Sequence, residues 1–257
     1  MPYTTHQGVR IHYRVEGEGP PLVIQHGFTD SMETWYEVGY VAAWKNTFQL
    51  ILVDARGHGH SDKPHDPDAY GMESMVGDIV AVLDTLHVPK THFIGYSMGG
   101  WIGYGMAKYA SERLFSLMIG GAHPYKQPPE SYDQRIQDLQ RGTEAIPEAW
   151  DAPVSPALRA RLLANDLEAC IALLQKRRES PGLDDVLPTL RIPWLLYVGE
   201  ADGPYAPMQE CRKLIPQVTF VSFPGLNHVE TLFHSELVVP HVTKFLHAVP
   251  TNAQARV

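Results

Sequence analysis

Gly95-Tyr96-Ser97-Met98-Gly99 sets a serine between two glycines in the pattern G-x-S-x-G, and two residues further along the chain have the chemistry to use it. A serine hydroxyl is a weak nucleophile near neutral pH. It needs a general base beside it, and the base needs a third group to fix its tautomer. Asp202, in Gly199-Glu200-Ala201-Asp202, and His228, in Gly225-Leu226-Asn227-His228, offer a carboxylate and an imidazole in that order. A hydroxyl activated in this way attacks an acyl carbonyl. The bare pentapeptide also occurs in ordinary glycine-rich loops, so its weight depends on a strand before it and a helix after it.

The elements that must position these residues can be read from periodicity. Short β-branched or aromatic runs predict strands at Val9–Val15, Leu22–His26, Gln49–Asp54, Thr91–Gly95, Leu114–Gly121, Pro193–Gly199 and Val218–Phe223. Apolar positions recurring near every 3.6 residues predict helices at Met72–Leu86, Met98–Tyr109, Pro207–Ile215 and Ser235–Ala248. Strand followed by helix, repeated, gives the α/β class, with a mostly parallel central sheet covered by helices on both faces. Ser97, Asp202 and His228 each follow a strand, at the sheet edge where such folds gather their sites.

The alternation stops once. Residues 122–184 hold no strand pattern and read as a helical insertion, leaving 1–121 and 185–257 as one core. Ser155-Pro156 marks one helix start, Asn165 with Glu168 marks another running toward Arg178, and Tyr132, Ile136 and Leu139 form a further apolar face. Long insertions at this edge shape pockets.

Composition removes other classes. The chain has 257 residues, of which 44% are hydrophobic and 19% charged, enough apolar surface for a packed core. Lys and Arg number 21 against 29 Asp and Glu, and a net charge of -8 repels a phosphate backbone, so no nucleic-acid partner is expected. Cys170 and Cys211 form no CxxC pair, so neither a disulfide framework nor a structural zinc is indicated. No apolar run approaches the roughly 18 residues of a membrane span. The first residues carry no basic segment followed by an apolar one, which leads to the expectation of a cytoplasmic location without membrane attachment. The polar tail Pro250 to Val257 carries no motif.

The order Ser97, Asp202, His228, together with His26-Gly27-Phe28 and Asp54-Ala55-Arg56-Gly57-His58-Gly59-His60-Ser61-Asp62, resembles the α/β-hydrolase fold serine hydrolases over nearly the whole chain. The resemblance implies that Ser97 is the nucleophile, His228 the base and Asp202 its orienting acid. The backbone N–H groups of Phe28 and Met98 would form the oxyanion hole, and the insertion 122–184 falls where that family carries a helical cap. It implies no cofactor and a small-molecule acyl substrate. A carboxylesterase is the leading expectation. A lactonase, a carbon-carbon hydrolase or a perhydrolase would use the same three residues, and a ligand receptor that retains them without turnover is the alternative of another class. Serine at the elbow separates the chain from dehalogenases and epoxide hydrolases, which place a carboxylate there.

His58, His60 and Asp62 spell H-x-H-x-D, part of a metal-binding pattern, but Lys63 stands where a further ligand is wanted, so no metal is expected. Substrate-pocket candidates are the apolar and aromatic residues Phe28, Trp35, Tyr36, Met98, Trp101, Tyr125 and Trp150. No lysine or arginine is clearly placed to grip an anion, which favours a neutral substrate, although Arg135, Arg159, Arg177 and Arg178 of the insertion would alter this if they pointed inward. Of 13 histidines, His228 alone is needed as base. His26 is expected to be architectural, and His6, His12, His65, His87, His92, His234, His241 and His247 have no partner that sequence can name.

Overall fold

A computed structural model describes residues 2–150, 153–215 and 217–251; most of the polar tail read from Pro250 to Val257 lies outside these residues. Eight strands form an open sheet: β1 Tyr3–His6, β2 Val9–Glu16, β3 Pro21–Gln25, β4 Gln49–Val53, β5 Thr91–Tyr96, β6 Leu114–Gly120, β7 Trp194–Gly199 and β8 Val218–Phe223. Their spatial order is β1-β2-β4-β3-β5-β6-β7-β8. β2 runs antiparallel to β1 and β4, and the remaining pairs are parallel. The apolar runs expected from sequence became strands because both their faces are covered. β5 is buried along its whole length, and in β4 Leu50 and Leu52 join one core while Ile51 and Val53 join the other.

The helices are α1 Glu33–Glu37, α2 Tyr40–Trp44, α3 Met72–Thr85, α4 Met98–Tyr109, α5 Pro129–Gln140, α6 Ala145–Glu148, α7 Pro156–Leu163, α8 Leu167–Glu179, α9 Tyr205–Leu214, α10 His228–Phe233 and α11 Ser235–Ala248. Met75, Val76, Ile79 and Val82 of α3 and Ile102 and Met106 of α4 pack on one face of the sheet. Trp35 and Trp44 with Val238 and Val242 of α11 pack on the other. α5 to α8 lie between β6 and β7, within the stretch expected to be helical. Ser155 caps α7 by accepting from the Leu158 N–H at 3.0 Å. The cap of α8 is Asp166, whose side chain accepts from the Ala169 N–H, and not Asn165, whose amide is engaged elsewhere.

The switch in strand order matters for the site. From β3 the chain crosses to β4 on one side, and from β4 it returns to β5 on the other, so the loops after β3 and β5 diverge and leave a crevice at their carboxyl ends. Gln25 stands opposite Gly95 in the parallel register, which sets the Gly27-Phe28 loop beside the turn at Ser97. Gly199 stands opposite Phe223, which sets the Asp202 loop beside the His228 loop.

Candidate active site

Ser97 sits between β5 and α4 with φ 56° and ψ -115°, a left-handed conformation that costs a non-glycine residue on the order of 1–3 kcal/mol. The turn is so tight that a Cβ on Gly95 would overlap the Gly99 carbonyl, and one on Gly99 would overlap the Gln25 carbonyl. This is the physical reason for glycine on both sides of the serine. Met98 opens α4, so its N–H is a first-turn donor with no intrahelical acceptor.

His228 is the first residue of α10. Asn227 caps that helix, accepting from the Glu230 N–H at 2.9 Å, while the Glu230 carboxylate accepts from the Asn227 N–H at 2.9 Å. The box fixes where the imidazole projects. Nδ1–H of His228 donates to Asp202 Oδ2 at 2.8 Å, and the Asp202 side chain is almost wholly buried while the ring is partly open. From below, the Tyr96 hydroxyl donates to the His228 carbonyl at 2.6 Å, its ring centre 5.1 Å from the imidazole. Burial raises the Tyr96 phenol well above its ordinary range, so it stays a donor.

Ser97 and His228 line one cavity of about 150 Å³, and Asp202 stands behind the ring. The loop after β3 contributes Phe28, Thr29 and Asp30 to its wall, while Arg135, Ile146 and Trp150 come from α5, α6 and the residues that follow. Asp30 Oδ1 accepts from the Ser31 N–H at 2.7 Å and from Thr34 Oγ1 at 2.5 Å. Burial raises the Asp30 carboxyl above its usual range.

Only part of the aromatic set expected in the pocket is in the wall. Phe28 and Trp150 line it. Trp35 does not, because its face of α1 is turned into the core beneath the sheet, edge-on to Tyr40 at 4.9 Å. Tyr36 points away, donating to Glu16 at 2.8 Å with Arg14 over its ring. Tyr125 packs beside His123 at 5.8 Å outside the cavity, Met98 is buried in the core, and Trp101 lies under Arg177. Of the four arginines of the insertion that sequence left open, Arg135 lines the cavity, while Arg159, Arg177 and Arg178 are not in its wall. Arg135 lies four residues before Leu139 and three after Tyr132, which puts it beside the buried stripe of α5 although its own side chain stays exposed.

The histidine-rich segment after β4 is scaffolding. His26 Nδ1–H donates to the Gly27 carbonyl at 2.7 Å and its Nε2 accepts from the Ala55 N–H at 3.0 Å, tying the two loops together. Asp54 accepts from His12, from the Met32 N–H and from the His60 N–H, all within 3.0 Å. Burial pushes its carboxyl up, but these bonds outweigh burial and bring it down to about 2. Arg56 is buried on Asp78, with two bonds of 2.6 Å. Asp62 is paired to Arg10 at the surface and His58 is buried against His26 and Phe28. Among the described residues no three His, Cys, Asp or Glu side chains group to hold a metal ion. The histidines without an expected partner mostly have one: His6 meets Asp78, His92 meets Ser116, and His65 meets Asp166 and Glu168. No helix among the described residues is long and apolar enough to cross a membrane.

Residues 20–184 match the family described as alpha/beta hydrolase fold, and the chain belongs to that family. It is 28% identical, over an alignment of 274 residues covering 96% of this chain and 98% of the other, to a Bacillus subtilis (strain 168) protein provisionally named 2-succinyl-6-hydroxy-2,4-cyclohexadiene-1-carboxylate synthase. It is 33% identical over 112 residues to the bifunctional epoxide hydrolase 2 of Mus musculus, a match to 43% of this chain and 20% of that longer protein. Among solved structures, a hydrolase from Pseudomonas aeruginosa superposes with a TM-score of 0.86 at 23% identity, covering 96% of this chain and 98% of that one. An N-acyl homoserine lactone degrading enzyme superposes with a TM-score of 0.80 at 25% identity, covering 95% of this chain and all of the other.

Proposed function

We propose that this α/β-hydrolase family member is a serine hydrolase cleaving a small carboxylic ester through an acyl-enzyme, with Ser97 as nucleophile, His228 as general base and Asp202 as the acid that orients it. The observation that carries this reading is a single one: Ser97 and His228 face one cavity while His228 Nδ1 is held by the buried Asp202 carboxylate at 2.8 Å. With Nδ1 protonated, Nε2 is the free acceptor. His228 takes the Ser97 proton as Oγ adds to the carbonyl, and returns it to the departing alcohol. Water, deprotonated by the same ring, then cleaves the acyl-enzyme. The Phe28 and Met98 N–H groups receive the oxyanion, each worth on the order of 3 kcal/mol in the transition state. Segment 122–184 acts as a cap, closing the cavity with Arg135, Ile146 and Trp150.

A serine at the elbow argues against epoxide opening by a carboxylate nucleophile. The second reading is a lactonase, favoured by the likeness to the N-acyl homoserine lactone degrading enzyme and by the fact that a lactone is an ester closed on itself. The deciding experiment compares wild type with Ser97→Ala on p-nitrophenyl acetate and butyrate beside a lactone panel, with fluorophosphonate labelling of both proteins. Turnover and labelling lost together in the variant support the hydrolase. Labelling of the wild type without turnover of any substrate favours a receptor.

A further inference from the structure

Arg135 of α5 lines the wall of the Ser97 cavity while remaining open to solvent, its guanidinium carbon 5.1 Å from the centre of the Phe28 ring. A guanidinium over an aromatic face uses its own face for the contact and keeps its N–H edge for other partners. Among the described residues no carboxylate pairs with it and no hydrogen bond occupies it. Two acids share the same wall, and both are engaged. Asp138 accepts from Gln134 Nε2 at 3.2 Å and sits 3.5 Å from Arg141. Asp30 holds Ser31 and Thr34, and burial raises its carboxyl, which weakens its repulsion of an anion.

A second cation stands behind the first. Arg177 of α8 lies 4.2 Å from the Trp101 ring centre, and its Nε is buried without a partner. Burial brings Arg177 down to about 10, with the charge of Arg135 adding to the fall and the Tyr132 phenol opposing it. His123, also near Arg177, is lowered by burial and by Arg177, which favours its neutral ring. Arg177 is not in the cavity wall, so its charge adds to the positive potential around Arg135 while Arg135 alone meets the cavity.

We propose that Arg135 anchors a free carboxylate on the substrate, so that the ester or lactone cleaved at Ser97 carries an acid group a few bonds from its scissile carbonyl. A carboxylate offers two oxygens in the spacing of the guanidinium edge, and a neutral chain end offers nothing to it. The inference rests on the reading of Ser97 as nucleophile and adds the substrate class.

The test uses p-nitrophenyl hydrogen adipate and p-nitrophenyl hexanoate, which share a six-carbon acyl chain and differ in ending in a carboxylate or a methyl group. The kcat/KM ratio of adipate to hexanoate is expected to be about tenfold or more in wild type, to fall to about one in Arg135→Met and to recover in part in Arg135→Lys, with the change in KM. A wild-type ratio near one, or a preference that survives Arg135→Met, overturns the proposal. If neither ester turns over, the nucleophile assignment fails on its own, and the subsite is read by binding. Monomethyl adipate should then raise the Tm of Ser97→Ala, and the double variant Ser97→Ala/Arg135→Met should lose that shift; an equal shift in both proteins, or none in either, counts against the subsite.

Discussion

Asn165, in the turn between α7 and α8, donates its side-chain amide to the Thr29 carbonyl at 2.8 Å. Thr29 is β-branched yet sits at φ 61°, and its hydroxyl donates to the Phe28 carbonyl at 2.6 Å while meeting Trp150 Nε1 at 3.5 Å. A residue in that region stays there only when its surroundings hold it. The helical segment therefore helps set the loop that presents the Phe28 N–H. Asn165→Ala should lower kcat about tenfold with little change in KM, and Thr29→Gly, which relaxes the backbone requirement, should restore part of the loss. Steady-state kinetics of the two variants and their combination measure this; a loss confined to KM would argue against it.

Removing the proposed nucleophile or its support should separate chemistry from folding. Ser97→Ala is expected to abolish hydrolysis with an unchanged melting transition, and Asp202→Asn to lower kcat by about 10⁴ because the base then holds the wrong tautomer. Gly99→Ala should fail differently. Its methyl group has no room beside the Gln25 carbonyl, so the soluble yield or the Tm falls along with activity. Retained turnover in Ser97→Ala would dismiss the triad.

Tyr96→Phe tests the platform under the base. It deletes the 2.6 Å bond to the partly buried His228 carbonyl, a change worth about 1 kcal/mol in stability. A kcat reduced several-fold with fluorophosphonate labelling slowed in step is the expected outcome; unchanged labelling would mean that the bond does not position His228.

Acid should unfold the protein through two buried rings that take no part in the proposed chemistry, His58 behind Phe28 and His92 in the sheet. Burial lowers His58 to about 3 and His92 to about 4, whereas both would titrate at about 6.5 in an unfolded chain. Between those values the unfolded state binds protons that the folded state refuses. Stability therefore falls as pH drops from about 6.5 to 4, by about 1.4 kcal/mol per pH unit for each ring. Urea melts at pH 7, 6, 5 and 4.5 should show this slope, and His92→Asn should flatten it; an equal slope in wild type and variant would assign it elsewhere.

Hydrolysis should persist in EDTA. Asp62 is already paired to Arg10, and the buried His58 ring touches His26 and Phe28, so the H-x-H-x-D segment is spent on holding loops. Activity lost to chelator and regained with added zinc would reverse that assignment.

The regular elements were legible because each carries its period. β5 is a short β-branched and aromatic run that is buried throughout, and the helices Met98–Tyr109 and Ser235–Ala248 fall at the residues expected. β1 was not legible, since both its faces are half exposed and it alternates weakly. The pocket was legible only in part, for a different reason. Amphipathicity says that Trp35 is buried without saying against which layer, and the partner layer is set by tertiary packing. Asn165 reads as a helix cap from spacing alone, and nothing local indicates that its amide is taken by a loop far away in sequence.

The backbone of Gly99 lies against that of Gln25 with no side chain between them. A backbone carbonyl packed directly on a glycine has no side-chain rotamer to absorb a shift, so the loop after β3 cannot approach further without pressing on the elbow. Adaptation to a substrate then falls to the opposite wall, built from α5, α6 and Trp150. On the proposed reading of Ser97 as nucleophile, selectivity is then set at Arg135, Ile146 or Trp150, across the cavity from the elbow.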